Sequence, residues 1–473
     1  MAVWIAVGTP VFSFAMRVWS RAMRAHVRLA CALFLLLALA GHAGAQSSSS
    51  ELAGYVARPD PAYAWREVST GRIGSVEYAE AILTSQIWRG AEWKHHLVVF
   101  RPTRIGAGQK HGFLFIHGGR WRDELENGWS GTLPFEARLF ARLAEALGAP
   151  LAVVRNIPHQ PLFDRTEDAL IAYTFDQFLR TGEADWPLLL PMVKAASRGM
   201  DAVQELTRVR WGDSLERFTV SGASKRGWTS WLVAAVDNRV AGVAPMVIDM
   251  LNLPAQIALQ KATFGELSEE VRDYDAIDLP ERVDSELGDR LLSIVDPYRY
   301  REALTQPKLI LLGTNDRYWP LDALKLYWKD LPEPKHVLYV PNQGHGIRDY
   351  ERLIGALSAL HRHTARGETL PRLSWRFAAG SQALMLDVSA DRNPHRVLVW
   401  SARSPTRDFR DARWESSRCD RNGSGFICTR PLADDAYTAM YAEVQYRERG
   451  APSWSLSTTV CIVEPGTRDI PDC

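Results

Sequence analysis

The sequence predicts an α/β fold: a doubly wound, mostly parallel sheet with helical insertions, followed by a small β-sandwich-like domain. Three observations predict it. Short apolar runs alternate with stretches of helical periodicity through the first 370 residues. Most of those runs are continuously apolar rather than alternating, as suits strands covered on both faces. From about residue 371 the helical periodicity stops, and strand-like segments follow one another between Asn, Gly, Ser and Pro turns.

The expected strands of the first part are 96–100, 113–117, 151–155, 218–222, 243–248, 308–313 and 337–340. Helical spacing falls on 135–147, 168–179, 192–207, 225–236, 321–328 and 350–361. Alternation of this kind, with right-handed crossovers, places helices on both faces of one sheet. Residues 51–370 form this domain. Two long insertions, about 156–215 and 250–305, are expected to cap its functional edge. Within 265–289 stand ten acids and two bases, Arg272 and Arg282. The plain reading is a solvated helix face; the sharper one is attraction of a cationic substrate. Residues 371–473 form the β-rich C-terminal domain, with strands expected at 384–388, 397–400, 439–446 and 454–460.

The first 45 residues read as an export signal. Arg17, Arg21, Arg24 and Arg28 precede the apolar run 29–40, and Ala43-Gly44-Ala45 is a small-x-small cleavage site. The run is shorter than the roughly 20 residues of a spanning helix. Cleavage leaves 52 bases against 55 acids, a formal charge of −3, which gives no support for nucleic-acid binding. Cys31 leaves with the signal; Cys419, Cys428, Cys461 and Cys473 remain. Three pairings are open, of which Cys419–Cys428 and Cys461–Cys473 are favoured. An oxidising compartment, periplasmic or extracellular, is implied, with no membrane span after cleavage.

Four segments carry chemistry. In Phe218-Thr219-Val220-Ser221-Gly222-Ala223-Ser224-Lys225-Arg226-Gly227 a strand runs through Gly-x-Ser straight into a helix, the context of a nucleophile elbow. Arg226 occupies the place of the usual second glycine, which comes one residue later as Gly227. In Ile116-His117-Gly118-Gly119 a His-Gly-Gly follows an early strand, where a loop supplies an oxyanion amide; His117 itself reads as structural. Asp316 follows the strand 308–313, and Asp249, also after a strand, is its rival as the acid. His345 lies in Pro341-Asn342-Gln343-Gly344-His345-Gly346 after the last of these strands. The order Ser, Asp, His, each at a strand end, predicts a Ser224–His345–Asp316 triad. Lys225 with Gly118 or Gly119 would supply the oxyanion amides. Trp121, Trp228, Tyr318 and Trp319 are candidates for a substrate pocket. No metal or organic cofactor is called for, since no HExxH or phosphate-loop pattern occurs.

Several motifs resemble the PhoPQ-activated pathogenicity-related proteins: Gly-Ala-Ser-Lys-Arg-Gly-Trp at 222–228, Pro-His-Gln-Pro-Leu at 158–162, Glu-Asp-Ala-Leu-Ile-Ala-Tyr at 167–173, Pro-Met-Val-Lys-Ala-Ala at 191–196 and Gly-Thr-Asn-Asp-Arg-Tyr-Trp at 313–319. The resemblance implies an exported protein of the α/β-hydrolase type and a link to cationic antimicrobial peptide resistance in Gram-negative bacteria. His159 stands where the family more often has Asn. A weaker likeness is to glucuronoyl esterases, whose elbow reads Gly-x-Ser-Arg-x-Gly; Lys225 holds the place of that Arg.

Two functions follow as expectations. The first is a serine hydrolase acting on an ester or amide bond of a small molecule or peptide. The second is a non-catalytic binding protein of the cell envelope, which Arg226 at the tight elbow position would favour.

Overall fold

A computed structural model describes Met1 and residues 50–473, apart from 107–108, 130–133, 381–382, 468–469 and 471–472. The expected export signal lies outside the described residues. Residues 50–473 form one compact unit, to which the following applies.

An antiparallel lead-in comes first: β1 (Ala64–Ile73), β2 (Val76–Trp88) and β3 (Ala91–Pro102). β3 joins a parallel group made of β4 (His111–Ile116), β5 (Leu151–Val154), β6 (Arg217–Ala223), β7 (Val240–Met246), β8 (Lys308–Gly313) and β9 (Lys335–Val340). Their order in the sheet is β3-β5-β4-β6-β7-β8-β9. This is the α/β-hydrolase arrangement, and every expected strand of the first part falls in it. The sequence reading lacked β1 and β2.

Both faces are covered, which is why the parallel strands are continuously apolar. Helices Phe135–Leu147 and Tyr350–Ala365 pack on one face, and Leu189–Trp211 and Lys225–Val236 on the other. The segment 156–215 is therefore not all cap. Its second helix, Leu189–Trp211, is part of the crossover layer, with Met192, Ala196, Met200 and Val203 buried. Its first helix, Glu167–Thr181, packs against both Arg272–Asp275 and Glu286–Val295 of the second insertion, whereas Leu189–Trp211 packs against the latter of these two. The helix expected at 321–328 shrinks to one 3-10 turn, Ala323–Leu326.

The C-terminal region is antiparallel, as expected. It includes β10 (Leu373–Ala379), β11 (Ala383–Ala390), β12 (Arg396–Ser404), β13 (Glu415–Arg418), β14 (Asp420–Asn422), β15 (Gly425–Pro431), β16 (Tyr437–Tyr446), β17 (Trp454–Ser457) and β18 (Cys461–Val463). It is not a free-standing sandwich. β17 pairs with β9 at Ser457 and Val337, so β17-β16-β12-β13 prolongs the central sheet. A second sheet, β10-β11-β15-β14, lies on that prolongation: Leu384, Leu386 and Val388 share a buried core with Val397, Val399 and Val444. One layer of the sandwich is a continuation of the central sheet itself. Disulfides Cys419–Cys428 and Cys461–Cys473 tie its turns, the favoured pairing.

Candidate active site

Four loops at the carboxyl ends of β4, β6, β8 and β9 meet at one rim. Between β6 and the helix Lys225–Val236 stands Ser224, with φ 58° and ψ −129°. That conformation is costly for a non-glycine residue and lifts the hydroxyl off the sheet edge. The turn is tight: a Cβ on Gly222 would lie 2.6 Å from the Arg226 carbonyl oxygen, and one on Gly227 2.9 Å from the carbonyl oxygens of Gly222 and Met246. Gly227 thus does the close-approach work of the displaced second glycine. Lys225 opens the helix, where N–H groups have no intrahelical acceptor and the dipole favours negative charge.

His345 Nε2 lies 2.8 Å from Ser224 Oγ. His345 Nδ1 lies 2.9 Å from Asp316 Oδ2 and 3.1 Å from Oδ1. Asp316 is buried and also accepts the Tyr318 amide at 3.0 Å. The Tyr318 ring stacks on the imidazole, with centroids 4.0 Å apart. The hydroxyl, imidazole and carboxylate form one hydrogen-bonded chain. Asp249 does not join it. It lies buried under the site, accepts Tyr327 Oη at 2.6 Å, and burial pushes its pKa up to about 7.

Arg226 and Glu167 have functions that sequence reasoning missed. The Arg226 guanidinium grips Glu167 through two bonds of 2.7 and 2.8 Å and donates Nε to the Ile157 carbonyl at 2.6 Å. It also packs on Gly118, where a Cβ would stand 2.5 Å from Nη2. The His-Gly-Gly loop is thereby pinned to the elbow. Gln160 adds to the clamp, donating Nε2 to Gly119 O at 3.2 Å and accepting the Glu167 amide at 2.8 Å. Burial alone would raise the Glu167 pKa; the bonds and charge of Arg226, with Lys225, outweigh it and hold the carboxyl below the usual range. Lys225 Nζ is 3.0 Å from both Glu167 and Asp168. The Glu-Asp pair at the head of the 167–173 motif is the signal that would have revealed this. His117 is half-buried, desolvation lowers its pKa, and its Nδ1 lies 3.0 Å from the Gly118 carbonyl oxygen. His159 packs between Trp93 and Trp121 and contacts the Lys94 backbone, away from Ser224.

A second device holds the acid and the base. Asn315, beside Asp316, donates Nδ2 to the carbonyls of Arg410 and Ala412 at 3.1 and 2.7 Å. Asn342, before His345, exchanges two hydrogen bonds with the Trp414 backbone, at 2.8 and 3.0 Å. The C-terminal arm between β12 and β13 therefore braces the loops that carry Asp316 and His345.

Ser224 borders two chambers. One lies under the cap and is walled by Phe175, Trp228, Ile248, Leu253, Ile257 and Trp319, with Tyr318 and His345 at its mouth. The other runs past Gly118 and Gly119 between the helices Phe135–Leu147 and Tyr350–Ala365. Of the aromatic candidates, Trp228, Tyr318 and Trp319 line the first chamber, and Trp121 lines neither.

The chain shares 28% identity with autocrine proliferation repressor protein A of Dictyostelium discoideum, over 88% of each chain. Among solved structures it is similar to acetyl xylan esterase 1 of a Thermoanaerobacterium species (TM-score 0.45, 17% identity, 66% of this chain and 92% of that one). It is similar also to a glucuronoyl esterase from Solibacter usitatus (TM-score 0.37, 13% identity, 66% and 91%). The profile of one family matches residues 52–410, most of the chain. The protein belongs to the PhoPQ-activated pathogenicity-related protein family.

Proposed function

We propose that the protein is an exported serine hydrolase that cleaves an ester or amide bond, including peptide bonds, through Ser224, His345 and Asp316. The observation that carries this is the unbroken chain from Ser224 Oγ through His345 to Asp316, at the mouth of an apolar chamber. In this reading His345 Nε2 takes the Ser224 proton as Oγ attacks the carbonyl carbon. Asp316 holds the Nδ1–H tautomer and stabilises the imidazolium. The amide of Lys225 and one from Gly118 or Gly119 receive the oxyanion. His345 returns the proton to the leaving group, and water then releases the acyl group by the same route.

The binding-protein alternative rested on Arg226. Its clamp on Glu167 and Gly118 gives that side chain a place in the oxyanion loop, which supports the hydrolase reading instead. Two disulfides support an oxidising compartment, and no helix among the described residues is long and apolar enough to cross a membrane. The link to cationic peptide resistance is part of this proposal through the family. The test is hydrolysis of p-nitrophenyl acetate by the purified mature protein. Turnover that Ser224→Ala abolishes supports the reading, and turnover equal in both proteins, or absent from the wild type, overturns it.

A further inference from the structure

We propose that the chamber under the cap selects an uncharged, apolar group on the acyl side of the scissile bond: an acyl chain, or the side chain of the residue that donates the carbonyl of a peptide. The inference rests on the hydrolase reading and gives that site its substrate class.

The walls named above are apolar and the charged side chains among them are already engaged, while Gln256 Oε1 and Trp319 Nε1, which lack partners, are buried away from solvent. Asp168 accepts Tyr274 Oη at 2.9 Å and Tyr318 Oη at 3.5 Å, and pairs with Lys225 Nζ at 3.0 Å. Lys225 is in turn held by Glu167. Gln260 Oε1 accepts the Ser268 amide at 2.9 Å. Cation and carboxylates neutralise one another at the rim, so an entering ammonium or carboxylate would lose its water without gaining an unengaged counter-charge. An apolar group loses nothing comparable and gains its burial. The acid-rich stretch 265–289 follows the same pattern. It turns Leu267, Val271, Tyr274, Leu279 and Pro280 toward the chamber, and none of its ten acids. Glu269 is engaged with Arg317 and Arg410, both at 2.7 Å. The expected attraction of a cation by these acids therefore does not act at the group next to the carbonyl.

Ser224 borders both chambers, and the cap-side one is the more enclosed. In acyl transfer the leaving group departs first and water follows, while the acyl group stays bonded to the serine. The enclosed chamber holds the part that stays. The second chamber, beside Gly118 and Gly119, serves the part that leaves.

The test uses the full mature protein and p-nitrophenyl esters of N-protected alanine, leucine, phenylalanine, lysine and glutamate, which share one leaving group. The expected kcat/KM for the leucine and phenylalanine esters exceeds that for lysine and glutamate at least tenfold. Ile257→Trp, which fills the chamber, is expected to lower the ratio of phenylalanine to alanine ester at least tenfold. A lysine or glutamate ester within tenfold of leucine, or a smaller change of that ratio, overturns the assignment. Fluorophosphonate labelling is read in parallel. Labelled protein without the preference sinks the chamber assignment alone; no labelling and no turnover sink the hydrolase reading and the assignment with it.

Discussion

At Ser224 the backbone holds φ 58° and ψ −129°, a conformation that costs on the order of 1–3 kcal/mol outside glycine. The strand before it and the helix after it hold the residue there, and the hydroxyl faces His345 as a result. Two acids lie close by, and geometry separates them. Asp316 bonds the imidazole, whereas Asp249 is turned to Tyr327. Asp316→Asn is expected to lower kcat by about four orders of magnitude, and Asp249→Asn by less than about tenfold. Steady-state rates on one activated ester check both. Asp249 also carries a pH signature. Burial raises its pKa from 3.8 to about 7, so the folded chain binds this proton more tightly than the unfolded one. Its contribution to stability falls as pH rises from about 4 to about 7 and is flat beyond. Asp249→Asn should therefore gain melting temperature relative to the wild type across that window; a difference independent of pH would contradict the assignment. At this scale the meeting of Ser224, His345 and Asp316 was legible, because each follows a strand. The Arg226–Glu167 clamp was not: its partners are 59 residues apart in sequence, and the Glu-Asp pair at 167–168, the one local sign, does not point to Arg226 as its partner.

Among the elements, parallel strands and their helices were readable, since burial on both faces leaves continuous apolar runs. β1 and β2 escaped notice because β1 is half-exposed and β2 mixes Glu, Ser and Gln into its buried positions. The helix expected at 321–328 failed for another reason. Pro320 and Asp322 start a turn, and Leu324 and Tyr327 are buried by packing that a 3-10 turn satisfies. The arm between β12 and β13 has no periodicity at all, yet it reaches both Asn315 and Asn342. Asn342 has φ 56°, so Asn342→Gly keeps the backbone and removes only the bonds to Trp414. We expect Asn342→Gly to lower kcat about tenfold with KM within twofold and the melting temperature little changed. Asn342→Ala, which adds backbone strain of about 1–2 kcal/mol, should lower the melting temperature as well. Equal kcat in wild type and Asn342→Gly would show that the arm has no part in positioning His345.

Over the whole molecule, composition announced a β-rich tail but not its attachment. Cysteines and turn residues mark such a region in any chain, while the pairing of β17 with β9 depends on contacts across more than a hundred residues. The consequence is that residues 371–473 are not dispensable. A chain ending at residue 370 would expose the β9 edge and the apolar residues Leu338 and Val340 that the C-terminal core covers, and unpaired apolar edges aggregate. Such a truncation should give no cooperative thermal transition and no ester turnover; a soluble, active fragment would show the two parts to be separate domains after all.

The most direct measurement is mass-spectrometric mapping of a fluorophosphonate adduct on the mature protein. The account predicts a single adduct on Ser224, lost when His345 is replaced by glutamine although the protein remains folded. An adduct on a different serine, or none on a folded wild-type chain, would contradict it.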